Sequence, residues 1–257
     1  VTLALPPFAA VPESFVGVWR RTLLEGPGID RDTDSTVFWL QTSHWHGDLR
    51  LPPRRPAFAD ITEFAATTEV QRRWLAQQQG FAGYTEVTGW PMAGSADTPA
   101  CPTVCQWHRR LDFQPPRGAR DIGRVAFAAG EDRLDEWGID ADYHEIWQRV
   151  PESTGEQAAW GWFGVEPVET VQRLLLVAGH CFFSLRDRGQ SAAPGVAIGA
   201  PTATLQQSTD VLAWLDMELS YGNWDPSLRL GTILHSTLPW REGQVLAWTP
   251  DWRRLTP

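Results

Sequence analysis

The sequence predicts an all-β protein of two antiparallel barrels in tandem with one or two short helices, and three observations carry that expectation. Short runs rich in β-branched and aromatic residues recur between proline and glycine turns. The chain holds 15 tryptophans, scattered along its length and often inside those runs, where wide indole rings suit barrel cores and flat pocket walls. Segments of the first half also recur in the second. Many short strands with few helices favour a sandwich or barrel, and closure of a barrel removes the edges that invite aggregation.

The elements follow in order. Phe15 to Leu24 reads as a strand ended by Gly26-Pro27-Gly28 and the acidic loop Asp30 to Asp34. Thr36 to Pro52 is its antiparallel partner, stopped by prolines 52, 53 and 56. Residues 60 to 80 look helical, with Asp60 and Glu63 as a capping box, Phe64, Val70, Trp74 and Leu75 at near-helical spacing and Gly80 as the stop. Strand text resumes at Phe81, and a Gly/Ser/Pro loop spans Pro91 to Pro102. Val104 to Phe113, Ile122 to Ala129, Arg133 to Trp137 and Tyr143 to Val150 follow as strands. Asp210 to Tyr221, Gly231 to Trp240 and Gln244 to Pro250 are read as the closing strands.

The repeat divides the chain near residue 140, giving units 1–140 and 141–257. Leu49-Arg50 aligns without gaps on Leu185-Arg186, which also sets Leu40 on Leu176 and His44 on His180. Trp19 and Arg21 are set against Trp147 and Arg149, so that the strand at 143–150 opens the second unit. Asp121 to Val125 is set against Arg229 to Ile233.

Gly17-Val18-Trp19 resembles the lipocalin-type opening, in which the tryptophan plugs one barrel end. Together with GVWRRTLL, VFWLQT, GDLRLP, QQGFAG, CQWHRRLDFQP and GTILHSTLPWREG, the chain resembles a lipocalin-like family of fungal and bacterial proteins that includes a yeast casein-kinase-interacting protein. The resemblance covers most of residues 15 to 149 and, more thinly, 211 to 243. It implies two lipocalin-like barrels and carries no catalytic residues to transfer. Glu145-Ile146-Trp147 departs from the glycine-x-tryptophan pattern in the second unit.

A net charge of -9 disfavours nucleic acid and anionic membrane surfaces as partners. No apolar run approaches the ~20 residues of a membrane span, and the start lacks a basic leader region, so the reading is a soluble cytoplasmic protein. Three cysteines, Cys101, Cys105 and Cys181, are expected as free thiols. Phosphate-binding glycine loops, dinucleotide fingerprints and nucleophile elbows are absent from the sequence, and no cofactor is implied.

The chemistry concentrates in two polar rows. On one strand His44, His46, Asp48 and Arg50 share a face opposite Ser43, Trp45, Gly47 and Leu49; on another Gln106, His108, Arg110 and Asp112 oppose Cys105, Trp107, Leu111 and Phe113. If the rows meet inside the first barrel, buried charges must pair, and Arg50 or Arg110 can anchor an oxyanion through a bidentate fork. If they face water they form a solvated charge ladder.

Three function classes follow. The leading one is binding of a small, partly apolar ligand in the first barrel, with an anionic group as one option. Trp19, Trp39 and Trp107 serve as wall or plug, and Arg50, Arg110, Asp48, His108 and Asp112 as polar contacts. A second is cofactor-free lyase, isomerase or hydrolase chemistry with His108 as acid/base, oriented by Asp48 from another strand. A third is an interaction scaffold with both barrels filled by side chains. His44 and His46, with His108, have spacing that permits a metal but lack the flanking pattern of a metal motif, and no metal is expected. Cys181 beside His180 reads as a core residue, because strand neighbours point to opposite faces.

Overall fold

A computed structural model describes residues 8–90, 102–114, 118–163, 171–188 and 209–255. Among them the chain is almost entirely strand, in two antiparallel sheets. The first contains β1 (Gly17–Gly26), β2 (Ile29–Asp32), β3 (Thr36–Gln41), β4 (Trp45–Leu51), β5 (Gln79–Thr88), β6 (Val104–Asp112), β7 (Asp121–Phe127), β8 (Arg133–Gly138) and β9 (His144–Arg149). Pairing of β9 with β1 closes eight of these strands into a barrel, and β2 lies outside it as a hairpin extension of β1. The second contains β10 (Gln157–Phe163), β11 (Val171–Ala178), β12 (Cys181–Arg186), β13 (Glu218–Asp225), β14 (Leu230–Ser236), β15 (Val245–Ala247) and β16 (Arg253–Arg254). Its order, β15-β14-β13-β12-β11-β10-β16, leaves it open, a curled half-barrel. The all-β, two-barrel architecture read from the sequence is therefore present, with one unit closed and one open.

The strand at 143–150 belongs to the first sheet. It pairs Trp19 with Arg149 and Arg21 with Trp147, so the similarity of Trp19-x-Arg21 to Trp147-x-Arg149 is that of two neighbours in one barrel. The chain leaves the first sheet after Arg149 and enters the second at Gln157, beyond the division expected near 140.

The hairpin repeat is structural. Leu49 to Leu185 and Leu40 to Leu176 are each 136 positions apart, and the same shift carries the register of β3–β4 onto β11–β12: Gln41 opposite His46 becomes Val177 opposite Phe182. Following the neighbouring strands extends the equivalence. Trp39 pairs with Trp19 and its counterpart Leu175 pairs with Trp160, so Trp160 is the second unit's Trp19. His46 pairs with Gly83 and Phe182 with Gly222, and each glycine follows a register shift, after Ala82 in one unit and Tyr221 in the other. The match between 121–125 and 229–233 does not hold, since the first lies on β7 and the second runs into β14, the counterpart of β6.

Two helices occupy equivalent places, each just ahead of the strand with the bulge glycine. α1 (Glu69–Ala76) replaces the longer helix expected over 60–80: Thr68 and Gln71 form the capping box, Phe64–Ala66 is a separate 3-10 turn, and Gly80 already lies in β5. α2 (Thr209–Leu215) overturns the strand expected from Asp210, and β13 starts only at Glu218. A Trp-Leu pair, Trp74-Leu75 and Trp214-Leu215, buries each helix against the same core. No helix among the described residues is long and apolar enough to cross a membrane.

That core lies between the sheets. The outer faces of β3, β4 and β5 supply Phe38, Leu40, Trp45, Leu49 and Tyr84, and β11 to β13 supply Leu174, Leu176, Phe183, Leu219 and Tyr221. Phe38 stacks on Tyr221 with ring centres 4.1 Å apart. Two close approaches require glycine. A Cβ on Gly47 would lie 2.2 Å from the Phe183 ring, and one on Gly80 would lie 2.6 Å from Leu219. Phe183 is the counterpart of Gly47 at the shift of 136, and Leu219, paired with Leu185 as Gly80 is with Leu49, is the counterpart of Gly80. Each small residue thus receives its own bulky equivalent.

One end of the first barrel is closed as the sequence suggested. Trp19 is fully buried, its indole N–H donates to Phe15 O at 2.9 Å, and Phe127 meets it edge-on. The Arg149 guanidinium lies 4.1 Å over the indole ring and donates to Val16 O and Ser14 O, tying the entering chain across the barrel floor.

Candidate functional site

Strand alternation sends His46, Asp48 and Arg50 into the first barrel, while Trp45, Gly47 and Leu49 face the second sheet. His44 sits in the turn before β4, with Nδ1 3.0 Å from Ser43 Oγ, and does not converge with His46. The second row is divided by the β-bulge in β6. Ala82 pairs with Leu111 and Gly83 with Arg109, so Arg110 is the extra residue and the faces exchange across it.

Cys105, Trp107 and Arg109 therefore point inward, as does Asp112 beyond the bulge, while Leu111 and Phe113 pack in the core between the sheets. His108 and Arg110 lie outside. His108 Nε2 is 3.1 Å from Glu86 Oε2, and its ring stacks on Phe8 and Tyr84. Arg110 hydrogen-bonds the Tyr84 hydroxyl and covers its ring. The pairing of His108 with Asp48 is consequently not formed, because the two side chains occupy opposite faces of the barrel wall.

The barrel interior is layered. Toward the floor His46, Thr85, Gln41 and Trp39 form a hydrogen-bond chain that ends at the buried His46 Nε2, which has no partner among the described residues. Thr85 Oγ1 donates to Gln41 Oε1 at 2.7 Å, which leaves it to accept from His46 Nδ1 at 3.0 Å, and Trp39 Nε1 donates to the same Gln41 oxygen at 3.2 Å. These directions make His46 the Nδ1–H tautomer. Burial, with smaller contributions from Arg109 and His108, pulls its pKa down to about 3.

Toward the open end lies an arginine–carboxylate lattice. Arg21 spans Glu145 and Asp32 at 2.7 Å each, Arg50 holds Asp48 through Nε at 2.7 Å and Nη2 at 3.1 Å, and Arg109 reaches Asp121 at 2.7 Å and Asp112 at 3.2 Å. Burial alone would lower the Arg50 pKa, but Asp48 and Glu145 more than offset it and raise it well above the ordinary value. Burial also raises the Asp112 pKa, against the pull of Arg109.

Glu136 has no arginine within ion-pair distance among the described residues. It accepts from the Tyr143 hydroxyl at 2.8 Å and the Trp147 indole at 3.1 Å. Burial, then Glu145 and Asp121, push its carboxyl pKa well above the usual range.

Between these layers is a cavity of about 10 Å³, the size of one water, bounded by Trp39, Trp107, Trp147, Phe81, Asp48, Asp121, Glu136 and Arg50. Arg50 also borders a shallow mouth of about 190 Å³ with Arg21, Asp32, Gln77 and Gln79. Of the tryptophans expected at the site, Trp39 and Trp107 wall the cavity and Trp19 forms the floor.

Sequence reasoning missed Arg21, Arg109, Asp121, Glu136, Glu145 and Trp147. Arg21, Glu145 and Arg109 could have been found by parity with Trp19, Trp147 and Trp107 on their strands; what the bulge hides is that Leu111 and Asp112 exchange faces beyond it. The described residues contain no group of three or more histidine, cysteine or acidic side chains placed to hold a metal ion. Cys105 and Cys181 are free and buried, and Cys101 lies outside the described residues.

Searches against protein-family models, curated proteins and solved structures find no match to this chain.

Proposed function

We propose that the protein binds a small molecule at the open end of the first barrel, and that the ligand presents a cationic ammonium group on an apolar body. The charge balance of the lattice supports this reading. Six carboxyl groups, Asp32, Asp48, Asp112, Asp121, Glu136 and Glu145, face three guanidinium groups, and all three arginines are already paired. Even counting Glu136 as neutral, five carboxylates exceed three cations. An anionic ligand would add to that excess and find its anchors occupied, whereas a cation relieves it. Asp121 bonds Arg109 through Oδ2 alone, so Oδ1 is the acceptor left at the cavity among the described residues. An ammonium group is about the size of the cavity, and the faces of three indoles favour a cation beside them.

Calorimetric titration with butylammonium and with butanoate tests this. Binding of the amine but not the acid is expected, with at least about a tenfold loss on Asp121→Asn. Equal binding of both ions, or an unchanged amine affinity in the variant, would sink the reading.

A further inference from the structure

The equivalence between the units identifies a second site, at the end of the half-barrel where the first barrel has its floor. In the first barrel Arg149 pairs across β9–β1 with Trp19; in the second unit Arg254 pairs across β16–β10 with Trp160. Their surroundings differ. Arg149 is committed to backbone carbonyls and to the Trp19 ring. The Arg254 side chain is exposed and makes no hydrogen bond or ion pair among the described residues.

The residue beneath the tryptophan differs as well. Phe15, fully buried beneath Trp19, lies four residues before it, and the residue four before Trp160 is the exposed Glu156. Phe127 of β7 also packs on Trp19; in the second unit the corresponding β15 spans only Val245–Ala247, and Trp248 just beyond it meets Trp160 at 6.4 Å. What the first barrel fills with side chains is, in the second unit, a cavity of about 370 Å³.

Its apolar wall is Trp160, Trp224 and Val177, with the two indoles 6.2 Å apart at 40°. Arg254 and Arg229 border it with the His180 imidazole, and Glu156 is the one acidic side chain among its lining residues. Two guanidinium groups against one carboxylate make this a locally basic pocket in a protein of net charge -9. We propose that it binds a planar aromatic carboxylate, the ring lying against Trp160 and Trp224 and the carboxylate taken by Arg254, with Arg229 adding to the favourable field. Tryptophan faces accept flat rings, and a guanidinium grips a carboxylate through paired N–H donors. The site is separate from the open end of the first barrel and does not depend on the reading given for it.

The test is a calorimetric titration of the full chain with 2-naphthoate and with its uncharged amide. One-to-one binding of 2-naphthoate is expected, at least about tenfold tighter than the amide. Arg254→Gln, at an exposed side chain whose loss leaves no buried partner, should reduce naphthoate to the affinity of the amide. Glu156→Gln should strengthen naphthoate binding, since it removes the opposing charge, and Asp121→Asn in the first barrel should leave it unchanged. Absence of binding, equal affinity for the acid and the amide, or an Arg254→Gln variant that binds naphthoate as the parent does would each overturn the proposal.

Discussion

Buried on the inner face of β4, His46 can neither reach water nor pair with a carboxylate, so it stays neutral in the folded protein at every pH down to about 3. The unfolded chain takes up its proton near the ordinary value of 6.5. A depressed folded pKa means that the stabilisation is complete above that value and is lost as pH falls, at about 1.4 kcal/mol per pH unit. Urea unfolding at pH 7 and pH 5 should show this loss in the parent and a smaller one in His46→Gln; identical slopes would exclude His46 as its source. Glu136 acts in the opposite sense. Its folded pKa is raised, so its contribution is full below the ordinary value of 4.5 and declines as pH rises. Glu136→Gln retains an amide that can bond both Tyr143 and Trp147, and its stability should gain on the parent's between pH 6 and pH 9, read as a widening gap in melting temperature. The sequence revealed that His46, Asp48 and Arg50 share a face. Which carboxyl would have its pKa raised was not legible, because that depends on Glu145 and Asp121 arriving beside Glu136 from other strands.

At the scale of elements, the two bulges decide which side chains enter each unit. A Cβ on Gly83 would stand 1.9 Å from His108 O, and one on Gly222 would stand 2.0 Å from Thr232 O, so both positions admit only a bare backbone. Gly83→Ala should cost about 1–3 kcal/mol in urea unfolding, the range for forced overpacking. An alanine variant with parental stability would show that β5 and β6 can separate there without penalty. Alternation alone predicted one continuous polar row from Gln106 to Asp112 on β6; the extra residue Arg110 broke it, leaving His108 outside and turning Asp112 inward to Arg109. Helix α2 escaped for a different reason. Val211, Trp214 and Leu215 form a helical stripe too short to outweigh the strand-like text that follows, and only the parallel with Trp74-Leu75 identifies it.

For the whole molecule, the legible part was two related β units; the illegible part was that the second stays open and that β9 completes the first. Closure depends on the pairing of β1 with β9, whose residues are more than a hundred positions apart, and no local pattern encodes it. The packing between units combines a large apolar core with a few polar ties such as Gln78 to Thr237 O and Arg55 to Glu242. Phe183→Ala should cost about 3–5 kcal/mol through the cavity left over Gly47, measured by urea unfolding. A near-neutral result would mean that the units barely support each other. The opposition of Gly47 to Phe183 and of Gly80 to Leu219 also sets a rule of exclusion. Two copies of the first unit brought together would leave holes where the glycines meet, and two copies of the second would collide through Phe183 and Leu219. The fit is therefore lock to key within one chain: each hollow is left by a glycine in the first unit and filled by the bulky residue at the equivalent place in the second.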